Sequence, residues 1–144
     1  MSIVITGASG AFGRMAAERL LTKVDPAQLV LVTRTPAALT DFAARGVTVR
    51  RGDFDQRESL VEAFAGAEKL LLISTLDVGE RRRRQHRNAI DGAVAAGVRQ
   101  VIYTSSVGIH PRSPAFVIED HLFTEEALRR SGLAFTFKIG RAHV

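Results

Sequence analysis

An apolar strand running straight into a glycine-rich turn opens the chain, Ser2-Ile-Val-Ile-Thr-Gly-Ala-Ser-Gly-Ala-Phe-Gly-Arg14, and it constrains the fold more than any other stretch. The spacing is GxxGxxG, and its meaning comes from context: residues 3–6 read as a short strand and Arg14 to Lys23 as a helix, through Met15, Ala16, Leu20 and Leu21. Each glycine has its own reason. Gly7 can take the positive φ of a tight turn, Gly10 lets backbone approach a pyrophosphate, and Gly13 lets the helix pack close to the strand. Phosphates placed against Gly7, Ala8, Ser9, Gly10, Ala11, Phe12 and Gly13 would meet unpaired N–H groups at the positive end of the helix dipole.

The rest of the chain repeats the strand-then-helix alternation. Asp25-Pro26 breaks the first helix, and residues 28–33 form a continuous apolar strand of the kind buried on both faces. Thr35 as N-cap and Pro36 at the first helical position predict a helix through Leu39 and Phe42 to Arg45, stopped by Gly46. A third strand covers 47–50, and a helix from Gln56 to Phe64 points Leu60, Val61 and Phe64 inward. Strand four is 69–74, a long helix runs from about 80 to 96 with Gly97 as its stop, and strand five is 100–104. Residues 105–114 read as a loop, 117–131 as a helix and 133–137 as a sixth strand. Five such alternations predict one α/β domain, a doubly wound parallel sheet of Rossmann type with strand order 3-2-1-4-5-6.

Composition excludes several alternatives. With 144 residues and no cysteine, the chain has the length of one domain and neither disulfides nor thiolate metal sites; no metal site is expected. No signal peptide or bilayer-length apolar run is present, so a cytoplasmic protein without membrane association is expected. The net charge of +5 rests on 17 arginines against three lysines. Such a surface attracts polyanions non-specifically, and no specific nucleic-acid partner is expected.

Arg34 ends the second strand, 21 positions after Gly13, where an acidic residue would bind the ribose 2′-hydroxyl of NAD. An arginine there suits a 2′-phosphate, and Arg14 could add a second cation, so NADP(H) is favoured over NAD(H). Asp53 and Phe54, at the end of the third strand, fall where the adenine edge would lie; Asp53 could instead cap the following helix.

These segments, together with Leu70-Leu-Leu-Ile-Ser74, Gln85-His-Arg-Asn-Ala-Ile-Asp91, Gly97-Val-Arg-Gln-Val-Ile-Tyr-Thr-Ser105 and Glu125-Glu-Ala-Leu-Arg-Arg-Ser-Gly-Leu-Ala-Phe-Thr136, resemble the NmrA-like branch of atypical short-chain dehydrogenases. Within that branch they are most similar to NAD(P)H:quinone oxidoreductases. The resemblance implies that Ser74, Thr75 and Leu76 border the cofactor's ribose and nicotinamide, and that Thr104 and Ser105 floor the substrate crevice. General reasoning puts both at the same edge, because ligands bind outside the carboxyl ends of parallel strands near the switch point.

The departures from the larger superfamily matter as well. Short-chain dehydrogenases typically carry a tyrosine four residues before a lysine on the helix after strand five, so that a phenol of lowered pKa protonates a carbonyl. Here Val117 stands where the tyrosine would and His121 where the lysine would. That disfavours alcohol or ketone chemistry, and with it a sugar reductase or epimerase. A quinone accepts hydride without that pair. His121 is the one candidate donor on its helix, with a surface or cofactor-edge role as its alternative. His86 is expected to orient its helix or the loop before it. The Arg81–Arg84 run near a helix N-terminus invites an external anion or is simply solvated.

Two functions follow: hydride transfer from NADP(H) to a small quinone-like acceptor, or an NADP(H)-binding redox sensor without turnover. A homodimer is compatible with either. Residues 1–138 are expected to form the cofactor-binding, amino-terminal part of a longer protein. Residues 139–144 break the pattern and match the in-frame translation of a common sequencing adapter, so a non-native tail is expected there.

Overall fold

The computed structural model describes residues 2–105 and 115–139; the loop expected at 105–114 and the tail expected at 139–144 lie almost wholly outside them. Six strands form one parallel sheet: β1 (Ile3–Ile5), β2 (Leu29–Thr33), β3 (Thr48–Arg51), β4 (Lys69–Leu72), β5 (Gln100–Ser105) and β6 (Ala134–Ile139). Their order is β3-β2-β1-β4-β5-β6, as the sequence predicts. The order reverses between β1 and β4, where Ile3, Val4 and Ile5 pair with Leu29, Val30 and Leu31 on one side and with Lys69, Leu70 and Leu71 on the other.

Helices α1 (Ala11–Leu21), α2 (Thr40–Ala43), α3 (Arg57–Ala63), α4 (Gly79–Ala96) and α5 (Ala115–Arg130) cover the two faces. Strand side chains alternate between those faces, so the central strands β1, β2 and β4 feed two cores. Val4, Val30, Val32, Leu70, Leu72 and Val101 pack with Leu60, Phe64, Ala89, Ala93 and Leu128 from α3, α4 and α5 and from the turn after α3. Ile5, Leu29 and Leu31 pack on the other face with Ala17, Leu39 and Phe42. Every residue of β2 is buried, which explains its unbroken apolar run.

Several local expectations are corrected. Thr35 makes no capping bond, and the helix expected from Pro36 to Arg45 is a 3-10 turn (Pro36–Leu39) followed by the single α-turn α2. The hydroxyl of Thr33 takes the Thr35 N–H at 3.1 Å and so competes with a helical start. Asp25-Pro26 builds a 3-10 turn with a full capping box, in which Asp25 accepts from Ala27 N–H and Gln28 from Asp25 N–H. On α1 the buried stripe is Gly13 and Ala17 rather than Met15, which is 67% exposed, because the helix starts at Ala11 and its register is set by Gly13.

Candidate cofactor site

The glycine turn has the geometry its spacing requires. Gly7 adopts φ +59°, its carbonyl accepts from Gly10 N–H at 3.1 Å, and Ala8 N–H is held by the Val32 carbonyl at 3.2 Å. A Cβ on Gly13 would lie 2.3 Å from the Gly7 carbonyl oxygen and 2.7 Å from Ala8 Cα, so only glycine lets α1 begin this close to the end of β1. Gly10 differs: a Cβ there meets only the Gly7 oxygen at 3.4 Å, so the chain itself does not demand glycine, whereas close approach of a ligand would. Gly10 is also the N-cap of α1 without a side-chain cap, and the first turn carries no acid. The N–H groups of Ala11, Phe12 and Gly13 therefore lack intrahelical partners at the positive end of the dipole.

These groups open on a cleft of about 510 Å³ at the carboxyl edge of the sheet. Twelve of the sequence-predicted site residues line it: Gly7, Ser9, Gly10, Ala11, Phe12, Gly13, Arg34, Asp53, Phe54, Ser74, Thr75 and Leu76. Val32, Thr33, Thr35, Gly52, Ile73, Asp77 and Gln85 complete the wall. Three expected residues stand outside it. Ala8 is fully buried beneath the turn, the Thr104 hydroxyl is spent on Ser74 N–H at 2.9 Å, and the Ser105 hydroxyl donates to Glu125 at 2.8 Å. A second groove of about 470 Å³, on the outer side of α4 and α5, is lined by none of the predicted residues.

At the ribose end, Arg34 is exposed on the cleft wall with no ion pair among the described residues. Arg14 does not join it. Its guanidinium donates to the Ala38 carbonyl at 3.1 Å, pairs with Asp41 and lies over the Phe42 ring, so it ties α1 to α2 and faces away from the cleft. Asp53 is not a helix cap, since α3 begins after Gln56; its Oδ1 accepts from Asp55 N–H at 2.9 Å while Ser59 Oγ holds its own N–H. Phe54 is packed against the main core, and its carbonyl accepts from Asn88. Gly52 supplies the close approach beside it, because a Cβ there would stand 2.5 Å from Val32 Cγ1.

Beyond β4, the N–H of Ile73 goes to Thr6 Oγ1 at 3.0 Å, that of Ser74 to Thr104 Oγ1, and that of Thr75 to His86 Nε2 at 3.1 Å. His86 thus orients the loop before its helix. Two of the four arginines in the run, Arg81 and Arg83, find their anions inside the protein. Arg81 pairs with Asp55 at 3.0 Å, Arg83 with the fully buried Asp120 at 2.9 Å, and Gln85 bridges Asp55 and Asp77. Asp120 also accepts from Gly79 N–H at 2.7 Å, so a carboxylate from α5 caps α4. Arg82, 8% exposed with its Nε unpartnered among the described residues, and the exposed Arg84 make no such ion pair among them.

Tyr103 is the buried polar side chain that sequence reasoning missed; its signal was being the chain's only tyrosine, inside an apolar strand. Its hydroxyl lies 2.7 Å from His121 Nδ1 and 3.5 Å from His86 Nδ1. The trio resembles an acid–base cluster, but the electrostatics oppose that role. Burial pushes the Tyr103 phenol well above its usual range, whereas a dehydrogenase tyrosine needs the opposite shift. Burial and the Arg82 charge push His86 down to about 3 and lower His121 as well. At neutral pH all three groups are uncharged, and none gives up a proton readily. Among the described residues, no group of three or more His, Asp or Glu side chains could hold a metal, and no helix is long and apolar enough to cross a membrane.

Residues 7–137 match a protein family described as NAD(P)H-binding. Quinone oxidoreductase 2 of Escherichia coli is 42% identical over 134 residues, which cover 93% of this chain and 46% of that protein. The crystal structure of an NADPH-dependent quinone oxidoreductase from Escherichia coli, complexed with NADPH, superposes with a TM-score of 0.86 at 42% identity, covering 94% of this chain and 47% of that one. Triphenylmethane reductase of Citrobacter sp. superposes with a TM-score of 0.89 at 37% identity, covering 95% and 48%. The chain spans about half the length of the relatives it matches.

Proposed function

This chain belongs to the NAD(P)H-binding family, and on that premise we propose that it is the cofactor-binding portion of an NADP(H)-dependent oxidoreductase whose acceptor is a small quinone. The observation that carries the reading is the meeting, in one cleft, of an uncapped α1 N-terminus with the cation of Arg34, which has no ion pair among the described residues. The first accepts a pyrophosphate on the N–H groups of Ala11, Phe12 and Gly13. The second discriminates a 2′-phosphate from a hydroxyl. Asp53 accepts from an adenine amino group, and Ser74, Thr75 and Leu76 form the far wall, beside the nicotinamide.

A reduced nicotinamide bound there supplies hydride. The protein's part is position: α1 fixes the phosphates, Arg34 the ribose and the pinned loop after β4 the ring end. No described residue is poised to protonate the acceptor, since His121 is held neutral beside a phenol that keeps its proton. A quinone suits such a site because its reduced oxygen can take a proton from water. The relative named for quinone reduction supports this choice of acceptor.

The same absence of a donor favours one alternative, an NADP(H) sensor without turnover. NADPH oxidation by the full-length protein with small quinones decides between them. Turnover that saturates with quinone is expected; tight NADPH binding with no turnover across a quinone series would establish the sensor instead.

A further inference from the structure

Three consecutive backbone N–H groups follow the end of β4, and three side chains from three different elements take them. Thr6, just past β1, holds Ile73; Thr104 of β5 holds Ser74; His86 of α4 holds Thr75. A parallel strand normally gives such donors to its neighbours, but here the chain leaves the sheet at Leu72 to form a wall of the cleft. Of the three anchors, only His86 comes from a helix, and it is fully buried.

We infer that His86 is a positioning residue for the nicotinamide end of the cleft, holding Ser74 and Thr75 in place by accepting the Thr75 N–H through a ring nitrogen that must stay bare. The inference rests on the reading that the cleft takes NADP(H). The polarity of the chain of bonds is fixed from one end. A backbone N–H only donates, so Nε2 carries no proton and Nδ1 carries the one of the neutral ring. Nδ1 then donates to Thr124 Oγ1 at 2.8 Å, and that hydroxyl donates to the Asp120 carbonyl at 3.0 Å. The loop beside the cofactor is thereby keyed to α5. Tyr103 packs edge-on against the imidazole at 5.5 Å between centroids and closes the pocket to water.

A leucine could fill much of this space but could not accept a hydrogen bond. A glutamine could accept through its amide oxygen and donate through its amide nitrogen, as the imidazole does. The test therefore compares wild type, His86→Leu and His86→Gln in the full-length protein, with two probes. NADPH reports on the whole cleft; 2′,5′-ADP carries the 2′-phosphate and adenine but no nicotinamide.

The expected result is that His86→Leu weakens NADPH about tenfold, the scale of one lost buried hydrogen bond, with 2′,5′-ADP affinity unchanged. His86→Gln is expected to recover most of the loss. Unchanged NADPH affinity in His86→Leu, a parallel fall for both probes, or a glutamine variant as weak as the leucine one would each overturn the inference. A second measurement holds even if His86→Leu fails to fold: histidine ¹⁵N shifts of the wild type at pH 7 should show His86 as the Nδ1–H tautomer, and an Nε2–H or doubly protonated ring overturns the assignment. Wild-type protein that binds neither probe would instead defeat the cofactor reading itself.

Discussion

Helices α1 and α4 both begin at the carboxyl edge of the sheet, on either side of the point where strand order reverses, yet their first turns are built in opposite ways. The start of α1 has a glycine N-cap, no acid in its first turn and N–H groups open to the cleft. The start of α4 is closed. Its Gly79 N–H is taken by Asp120, and Arg81 and Arg83 are neutralised by Asp55, Asp120 and Glu119. On the proposed reading, the first site accepts an anion because no described residue uses its N–H groups, and the second excludes one because a buried carboxylate already does. Both termini carry a positive dipole end; what separates them is whether the fold supplies the counter-charge.

The sharpest way to break this contrast is to close the open end. Gly13→Ala puts a methyl group into the Gly7 carbonyl, so α1 must shift away from β1; NADPH affinity of the full-length protein should fall about 100-fold or more by fluorescence titration, or about 2.7 kcal/mol. Opening the closed end should instead cost stability. Asp120→Ala leaves Gly79 N–H unpartnered and Arg83 with the exposed Glu119 alone, and denaturant unfolding should show a loss of about 3 kcal/mol, with 2′,5′-ADP binding unchanged. An equal loss of binding in that variant would mean that the two termini are not separate devices.

The polar layer behind α4 predicts a pH dependence of stability. His86 has a folded pKa near 3 against 6.5 in the unfolded chain, so below pH 6.5 the unfolded state binds a proton that the folded state refuses. Stability should be full above that pH and fall as pH drops toward 3, by up to about 1.4 kcal/mol per unit, with His121 adding in the same direction. His86→Gln should flatten much of that slope in unfolding curves taken from pH 7 to pH 4; an unchanged slope would place the titration elsewhere.

Two arginines near the open end should separate by about an order of magnitude in effect. Arg34→Asp should lower the NADPH-to-NADH affinity ratio about 20-fold, since one charge-assisted contact is replaced by repulsion. Arg14→Ala should move that ratio less than about twofold, because its guanidinium is committed to Asp41 and Ala38; its cost is that of an exposed ion pair, about 0.5 kcal/mol of stability. Equal effects of the two on the ratio would restore Arg14 as a phosphate ligand.

The strand order was legible because each strand announces itself by a short apolar run, and because parallel strands need crossovers of one hand. The cleft was legible at its backbone-defined end: glycine spacing maps directly onto φ and close approach, and Gly7 and Gly13 behave as their spacing requires. Side-chain assignments fared differently. Arg14, Thr104 and Ser105 are polar residues next to the cleft in sequence, yet each is spent on a partner distant in sequence, namely Asp41, Ser74 and Glu125. Asp120, which organises the space between α4 and α5, carries no local pattern, and Tyr103 stands out only as a lone tyrosine in an apolar strand.

What the sequence determined by itself is therefore the alternation of elements, their order in the sheet and the glycine turn that bounds the cleft, all of which follow from hydrophobic period and glycine geometry along the chain. What only the tertiary structure decided is which charges and hydroxyls remain available. Among the described residues Arg34 has no ion pair where Arg14 has one, and His86 accepts the Thr75 N–H through Nε2. The physical reason is that availability is set by the nearest partner in space. For Gly79 and Arg83 on α4, that partner is Asp120, some 40 residues further along the chain.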